Sequence, residues 1–316
     1  MRRYVKPGHR RPPDFWRFWA ETAAILDKTP ADTHLVERPE WSTSEYRGYS
    51  VTFTSYGGAR ITGYALLHER ARHLIVHSHG YGSRCEPRHN WASAGVNVLG
   101  VDIRGFGWSA EALAEPSRHG YVLTGIESPE TSVLRGAVCD YVRATEVAAS
   151  ICPRPPSRTV AHGISFAGGL ALMAQGLAGR ADVLCVGVPT FGWADGRHFF
   201  VKAGSGAEIS QYLSRRADMA EDVALVLRYF DSTAFAERVT APALVGVGLQ
   251  DDVVPAATVY AIANHLRGPH EVMEFPISHS DHPDEDLWQA FDDRCLSIAL
   301  SGLDHKFGEH KRLPGG

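Results

Sequence analysis

The chain has no CxxC pair, no apolar stretch of membrane-spanning length and no marked excess of one charge. Each absence excludes something. The five cysteines (Cys85, Cys139, Cys152, Cys185 and Cys295) are odd in number and scattered, which argues against a disulfide framework and against a zinc cage. Cys139 and Cys185 lie in apolar runs and read as core thiols. A net charge of −4 gives no reason to expect nucleic acid or an acidic membrane surface as partner. Arginine far outnumbers lysine, which reads as genomic base composition. At the N-terminus Arg2, Arg3 and Lys6 are followed by Pro7, Arg10, Arg11, Pro12 and Pro13 rather than an apolar h-region. No signal peptide is therefore expected, and the location expected is cytoplasmic. What remains is an ordinary globular composition, 44% hydrophobic and 22% charged, in 316 residues. That length suffices for one large α/β domain or two small ones.

The first forty residues read as extended, then helical: Phe15, Phe18, Trp19, Ala23 and Leu26 recur at helical spacing and should lie on the main body. Two alternating segments, 51–55 and 61–65, flank Gly57-Gly58, a hairpin signal. Beyond them, short and nearly continuous apolar runs (73–77, 96–101, 159–162, 183–188, 243–247 and 271–275) alternate with longer helical segments. Runs with both faces apolar are what parallel strands look like when buried between helix layers. Ser128-Pro129-Glu130 reads as a helix N-cap with Pro at the first helical position, opening a helix to about residue 149. Residues 190–240 break the strand rhythm, are helical in pattern and carry a Gly-rich break at Gly204-Ser205-Gly206. An insertion between late strands of a doubly wound sheet covers the strands' carboxyl ends, where ligands bind. The expected architecture is thus a mostly parallel central sheet with helices on both faces, an N-terminal antiparallel hairpin and a helical cap insertion. It forms one domain over 1–316, with an N-terminal extension at 1–45 and the cap at 190–240.

Chemistry enters at Gly163-Ile164-Ser165-Phe166-Ala167, between a strand and a helix rich in Ala, Leu and Gly. A nucleophile elbow needs small residues two before and two after its serine, because the turn is too sharp for larger side chains. Gly163 fits, and Ala167 stands in for the more usual glycine while remaining small. Alone the motif is weak, since Gly and Ser are common in turns. An α/β-hydrolase, however, places its acid and then its histidine after the serine, each at the end of a later strand. Strand 243–247 runs out at Gln250-Asp251-Asp252, and strand 271–275 is followed by Pro276-Ile277-Ser278-His279. The order Ser165, Asp251, His279 has the required form. Asp252 and His282 stay open as alternatives, although Asp251 is the first carboxylate after its strand. The base would take the Ser165 proton and return it to the leaving alcohol, while the acid fixes the tautomer of the base. An oxyanion hole would combine the N–H of Phe166 with one from His77-Ser78-His79-Gly80-Tyr81-Gly82, at Tyr81. Two histidines there without a third ligand make a poor zinc site, so no metal and no cofactor are expected.

These residues resemble the acetyl xylan esterase/cephalosporin C deacetylase group of carbohydrate esterases. Members carry an Arg-Gly-Gln-Gly segment, a Gly-x-Ser-Gln-Gly-Gly elbow and a terminal His-Glu. Here they appear as Arg104-Gly105-Phe106-Gly107, as Gly163-Ile164-Ser165-Phe166-Ala167-Gly168, and as His279-Ser280. The likeness extends to Tyr141-Val142-Arg143-Ala144, Val188-Pro189-Thr190-Phe191, Tyr229-Phe230-Asp231 and Asn264-His265-Leu266, so it covers nearly the whole chain. It implies an α/β-hydrolase fold, with Asp251 and His279 as acid and base and Tyr81 and Phe166 as oxyanion amides. It further implies Tyr81, Pro189 and Phe191 against the substrate, and Arg104 as structural support with Gly163 and Ala167. Phe106 and Phe166 replace glutamines and Ser280 replaces Glu, departures that imply a divergent member with its own acyl pocket. A homo-oligomer is also implied.

The leading expectation is a serine carboxylesterase that removes acetyl or another short acyl group from a sugar or specialised metabolite. Its partner would be a small-molecule acyl ester, with neither nucleic acid nor membrane. Acyl transfer shares the first step and is distinguished by product analysis with an added acceptor. A non-catalytic binding module is the third class, disfavoured because all three triad positions are filled. Ser165 excludes the relatives of this fold that attack with a carboxylate.

Overall fold

The apolar runs become neighbouring strands. In the computed structural model, which describes residues 5, 7–8, 10–201, 203–276 and 285–302, a single sheet holds nine strands among the described residues. They are β1 (His34–Glu37), β2 (Arg47–Thr54), β3 (Arg60–Leu67), β4 (His73–Ser78), β5 (Asn97–Val101), β6 (Arg158–Ile164), β7 (Val183–Gly187), β8 (Ala243–Gly248) and β9 (His270–Phe275). Their order is β1-β2-β3-β5-β4-β6-β7-β8-β9. The first three and the β3–β5 pair are antiparallel, and every later pair is parallel. The order reverses at β4, which has β5 on one side and β6 on the other. The crevice beside such a switch point is where open α/β sheets bind ligands. Both the Ser165 turn and the His79-Gly80-Tyr81 loop leave the sheet there.

The helices are α1 (Phe15–Lys28), α2 (His89–Ser93), α3 (Val133–Ile151), α4 (Phe166–Ala178), α5 (Ala194–Phe200), α6 (Gly204–Arg215), α7 (Ala220–Arg228), α8 (Ser232–Ala236), α9 (Ala256–Ala263) and α10 (Glu285–Ser301). One core joins residues of α1, α3, α4, α8 and α9 to one sheet face, and a second joins residues of α2 and α10 to the other. Helix α1 buries Phe15, Phe18, Trp19 and Leu26 as expected, with Thr22 in place of Ala23 as the fifth buried position. Trp19 Nε1 donates to the Tyr229 carbonyl (2.9 Å), and its ring stands edge-on to Phe230 and Phe235. Each such burial stabilises by about 1.5–3 kcal/mol.

The hairpin forms as read, with Gly57 and Gly58 both at positive φ and Thr54 paired with Arg60. Two local readings need correction. Strand β1 was not anticipated; all four of its residues are exposed, so it carries no burial pattern. Helix α3 does not start at Ser128-Pro129-Glu130. Thr131 Oγ1 donates to the Gly125 carbonyl (2.7 Å) and the Thr131 N–H donates to Ser128 Oγ (3.3 Å), which closes that stretch into a turn. The helix begins at Val133, capped by Ser132 Oγ accepting from the Leu134 N–H. Between β7 and β8, α5 to α8 supply the expected helical insertion, and Gly204 opens α6 at φ +58° rather than breaking a helix.

Candidate active site

Ser165 sits between β6 and α4 with φ +57° and ψ −116°, a region an L-residue enters only under constraint. The constraint is visible. Its N–H donates to the Gly187 carbonyl (2.8 Å), and its carbonyl accepts from Gly169 (3.0 Å) and Thr190 (3.2 Å). A Cβ at Gly163 would stand 2.4 Å from the Ala167 carbonyl carbon and oxygen, so only glycine fits two residues before the serine. Ala167 is completely buried beneath this turn. A Cβ at Gly169 would meet Thr190 at 2.8 Å, so this glycine lets α4 approach the loop after β7.

That loop is itself strained. Val188, Phe191 and Trp193 all have positive φ (+36°, +65° and +55°), each conformation costing about 1–3 kcal/mol. Asp231, at the start of α8, holds it by accepting the N–H groups of Trp193 (2.9 Å) and Ala194 (2.8 Å).

A cavity of about 680 Å³ opens over Ser165 and is lined by His79, Gly80, Tyr81, Ser165, Val253 and Trp288 among others. His79 was passed over in the sequence except as a rejected metal ligand, yet it organises one wall. The Ile103 N–H donates to its Nε2 (3.1 Å), which leaves the proton on Nδ1 to donate to the Gly80 carbonyl (2.8 Å). Burial holds this imidazole below its ordinary value and keeps it neutral. Because a trans peptide points its C=O and N–H oppositely, fixing the Gly80 carbonyl also fixes the direction of the Tyr81 N–H. The Tyr81 hydroxyl donates to Glu208 Oε2 of α6 (2.6 Å), tying the insertion to this loop. Burial pushes the Tyr81 hydroxyl and the Glu208 carboxyl up.

Phe166 is 1% exposed, and its ring faces Tyr81, Phe106, Tyr121, Phe191 and His79 at centroid distances of 5.4–6.2 Å. The two phenylalanines that stand in for glutamines therefore touch each other, at 5.8 Å. Pro189 is buried in the strained loop and lines neither the Ser165 cavity nor the smaller cavity within the insertion. Phe191 lines only the smaller one. Arg104 is a strut: its guanidinium forks onto both Asp140 oxygens (2.6 and 2.8 Å) and reaches the Tyr56 carbonyl (3.0 Å).

The β8–β9 register pairs Gly248 with Phe275, and the Leu249 N–H donates to the Phe275 carbonyl (2.9 Å). The ends of the two strands that precede the expected acid and base are thus paired. Asp251 is buried and its Oδ1 accepts from Val253 (2.9 Å) and Val254 (2.7 Å), whereas Asp252 is exposed. His279 and His282 lie outside the described residues. Below the Ser165 strand, His162 Nε2 meets Asp292 Oδ1 at 2.9 Å, and Arg88 donates to the other oxygen (3.1 Å). Burial pushes the Asp292 carboxyl up, but His162 and Arg88 together outweigh it and hold it below the usual range. Among the described residues no cluster of His, Cys, Asp or Glu is arranged to hold a metal, and no helix is long and apolar enough to cross a membrane.

An acetyl esterase, Axe7A, of Xylanibacter ruminicola is 23% identical over 292 residues, 87% of this chain; the chain spans 64% of that relative's length. Among solved structures, the acetyl xylan esterase from Paenibacillus sp. R4 superposes with a TM-score of 0.81 at 26% identity, covering 92% of this chain and 98% of its own. Acetyl xylan esterase 1 from Thermoanaerobacterium sp. JW/SL YS485 superposes at 0.82 with 23% identity, covering 94% and 97%. These neighbours show the α/β-hydrolase fold. The model of the acetyl xylan esterase (AXE1) family matches residues 1–292, and the chain belongs to that family.

Proposed function

We propose that this chain is a serine esterase that removes acetyl or similarly short acyl groups from a small molecule. The observation that carries the reading is Ser165, held at a strained elbow on the wall of the cavity where the sheet order reverses. The hydroxyl attacks the ester carbonyl while His279 takes its proton. Asp251 orients His279 and stabilises the imidazolium. The N–H groups of Phe166 and Tyr81 receive the charge that develops on the carbonyl oxygen, and each such donor is worth about 2.7–4 kcal/mol of barrier. The alcohol departs with the proton, and water then hydrolyses the acyl-enzyme by the same steps in reverse. Behind the elbow Phe106, Phe166 and Tyr121 pack on one another without lining the Ser165 cavity.

The test is hydrolysis of p-nitrophenyl acetate against longer acyl esters. Ser165→Ala is expected to lower kcat/KM by about 10⁴-fold or more, since a triad acts as a unit. Asp251→Asn and His279→Gln should each cost far more than Asp252→Asn and His282→Gln. Unchanged turnover in Ser165→Ala overturns the mechanism.

A further inference from the structure

The insertion contains a buried cation that the chemistry above does not use. Arg197, on α5, is 9% exposed and has no carboxylate within ion-pair distance among the described residues. Its guanidinium carries five N–H donors. One, on Nη2, donates to Ser205 Oγ (2.9 Å), and one face lies over the Phe191 ring at 5.2 Å. Asp231 attracts it only from a distance, with oxygens that accept the N–H groups of Trp193, Ala194 and Thr233. Two other buried arginines meet a carboxylate: Arg104 forks onto Asp140, and Arg143 meets Glu146 at 3.1 Å. Arg135 has none either among the described residues, but it rests on two rings, Phe18 and Tyr56, and bonds both Thr22 and the Glu130 carbonyl, where Arg197 has one ring and one hydroxyl. Burial pulls the Arg197 guanidinium down to about 10. A charge left this way in the interior is costly unless a counter-charge arrives.

Arg197 faces a cavity of about 40 Å³ whose other walls include Phe191, Val201, Ile209, Leu227 and Phe230. At about 10–15 Å³ for each water-sized group, that is room for about three heavy atoms, the size of a carboxylate. The cavity adjoins the reacting centre. Gly204 lines the Ser165 cavity while the next residue, Ser205, holds Arg197, so the first turn of α6 borders both spaces. On the opposite side, Phe191 stands 6.1 Å from Phe166, and the Thr190 N–H bonds the Ser165 carbonyl.

We propose that this cavity is a carboxylate-binding subsite, with Arg197 as its cation, through which the enzyme selects acyl esters that carry a free carboxylate. The assignment rests on the esterase reading of Ser165, but the site's affinity for anions does not. Binding is therefore read first, by the thermal shift of Ser165→Ala protein in acetate, succinate or chloride at matched ionic strength. Acetate and succinate should raise Tm, and adding Arg197→Met should abolish that gain while Arg197→Lys keeps part of it. Stabilisation by chloride alone, or equal stabilisation with and without Arg197, overturns the proposal. Selectivity is read second, as the ratio of kcat/KM for 4-acetoxybenzoate over the neutral 4-acetoxybenzamide. Arg197→Met should lower this ratio about tenfold, the loss of one charge-assisted contact, and Arg197→Lys should fall between. A ratio that does not move overturns the proposal. If neither ester is hydrolysed but carboxylates still stabilise the Ser165→Ala protein through Arg197, the esterase reading fails and the anion site stands.

Discussion

Phe106 and Phe166 should be energetically coupled, and the coupling can be measured. Phe166 is fully enclosed, so Phe166→Ala should cost about 3–5 kcal/mol in urea unfolding, from lost transfer energy plus the cavity left behind. Phe106 is half-buried and should cost less. The ring pair at 5.8 Å and 67° adds about 0.5–1.5 kcal/mol beyond area burial, as edge-to-face pairs do. Each single variant loses that pair energy, whereas the double variant loses it once. The double should therefore be less destabilised than the sum of the singles by about that amount. Catalysis supplies a second readout. The Phe166 N–H is positioned by the elbow and not by its ring, so Phe166→Ala should lower kcat/KM by no more than about 100-fold, the effect of a slight misplacement. Phe166→Gln would set an amide among five rings and strand its polar atoms, at about 1–3 kcal/mol. Additivity within about 0.3 kcal/mol in the cycle would refute the paired-ring account.

Gly163→Ala should cripple the elbow, because its Cβ meets backbone at 2.4 Å; about 1–3 kcal/mol of stability and about 100-fold in kcat/KM should go together, in denaturation and p-nitrophenyl acetate assays. Arg104→Met leaves the fully buried Asp140 without its guanidinium and should cost about 3–5 kcal/mol, part of which Arg104→Met with Asp140→Leu should restore. Stability should decline as pH falls below about 6.5. Burial holds His77 neutral well below that ordinary value, so the unfolded chain takes up a proton there that the folded chain refuses. His77→Gln should flatten the decline of the urea unfolding free energy between pH 7 and 5 by up to about 1.4 kcal/mol per pH unit.

Much of the fold was legible because a parallel strand covered on both faces leaves an unmistakable apolar run, as at 183–188 and 243–247. The order proposed for the triad rests on a related signal, since each candidate follows such a run. What escaped has a physical cause in each case. Strand β1 is exposed at all four positions and owes its place to pairing with β2, which composition does not encode. Ser128-Pro129 offers a good cap, but Thr131 and Gly125 close a turn first, a contest settled by side-chain hydrogen bonds. Arg197 reads as one more charged position on a helix. Only the packing of α5 and α6 against Phe191 shows it to be enclosed. The work of His79 was hidden for a simpler reason: a histidine before Gly-Tyr says nothing of which nitrogen carries the proton.

The clasp of α1 also bears on how the chain comes off the ribosome. Trp19 bonds Tyr229, 210 residues later, and its ring waits for Phe230 and Phe235. At about 5–20 residues per second, roughly 10–40 s pass in which Phe15, Phe18 and Trp19 have been made and their late partners Tyr229, Phe230 and Phe235 have not. During that interval α1 has α3 and α4 to pack on, which precede residue 229, but not these late rings. The segment that finally closes over it belongs to the same insertion whose Gly204 lines the Ser165 cavity, so a chain stalled before residue 229 leaves these aromatic faces uncovered and also lacks Asp251.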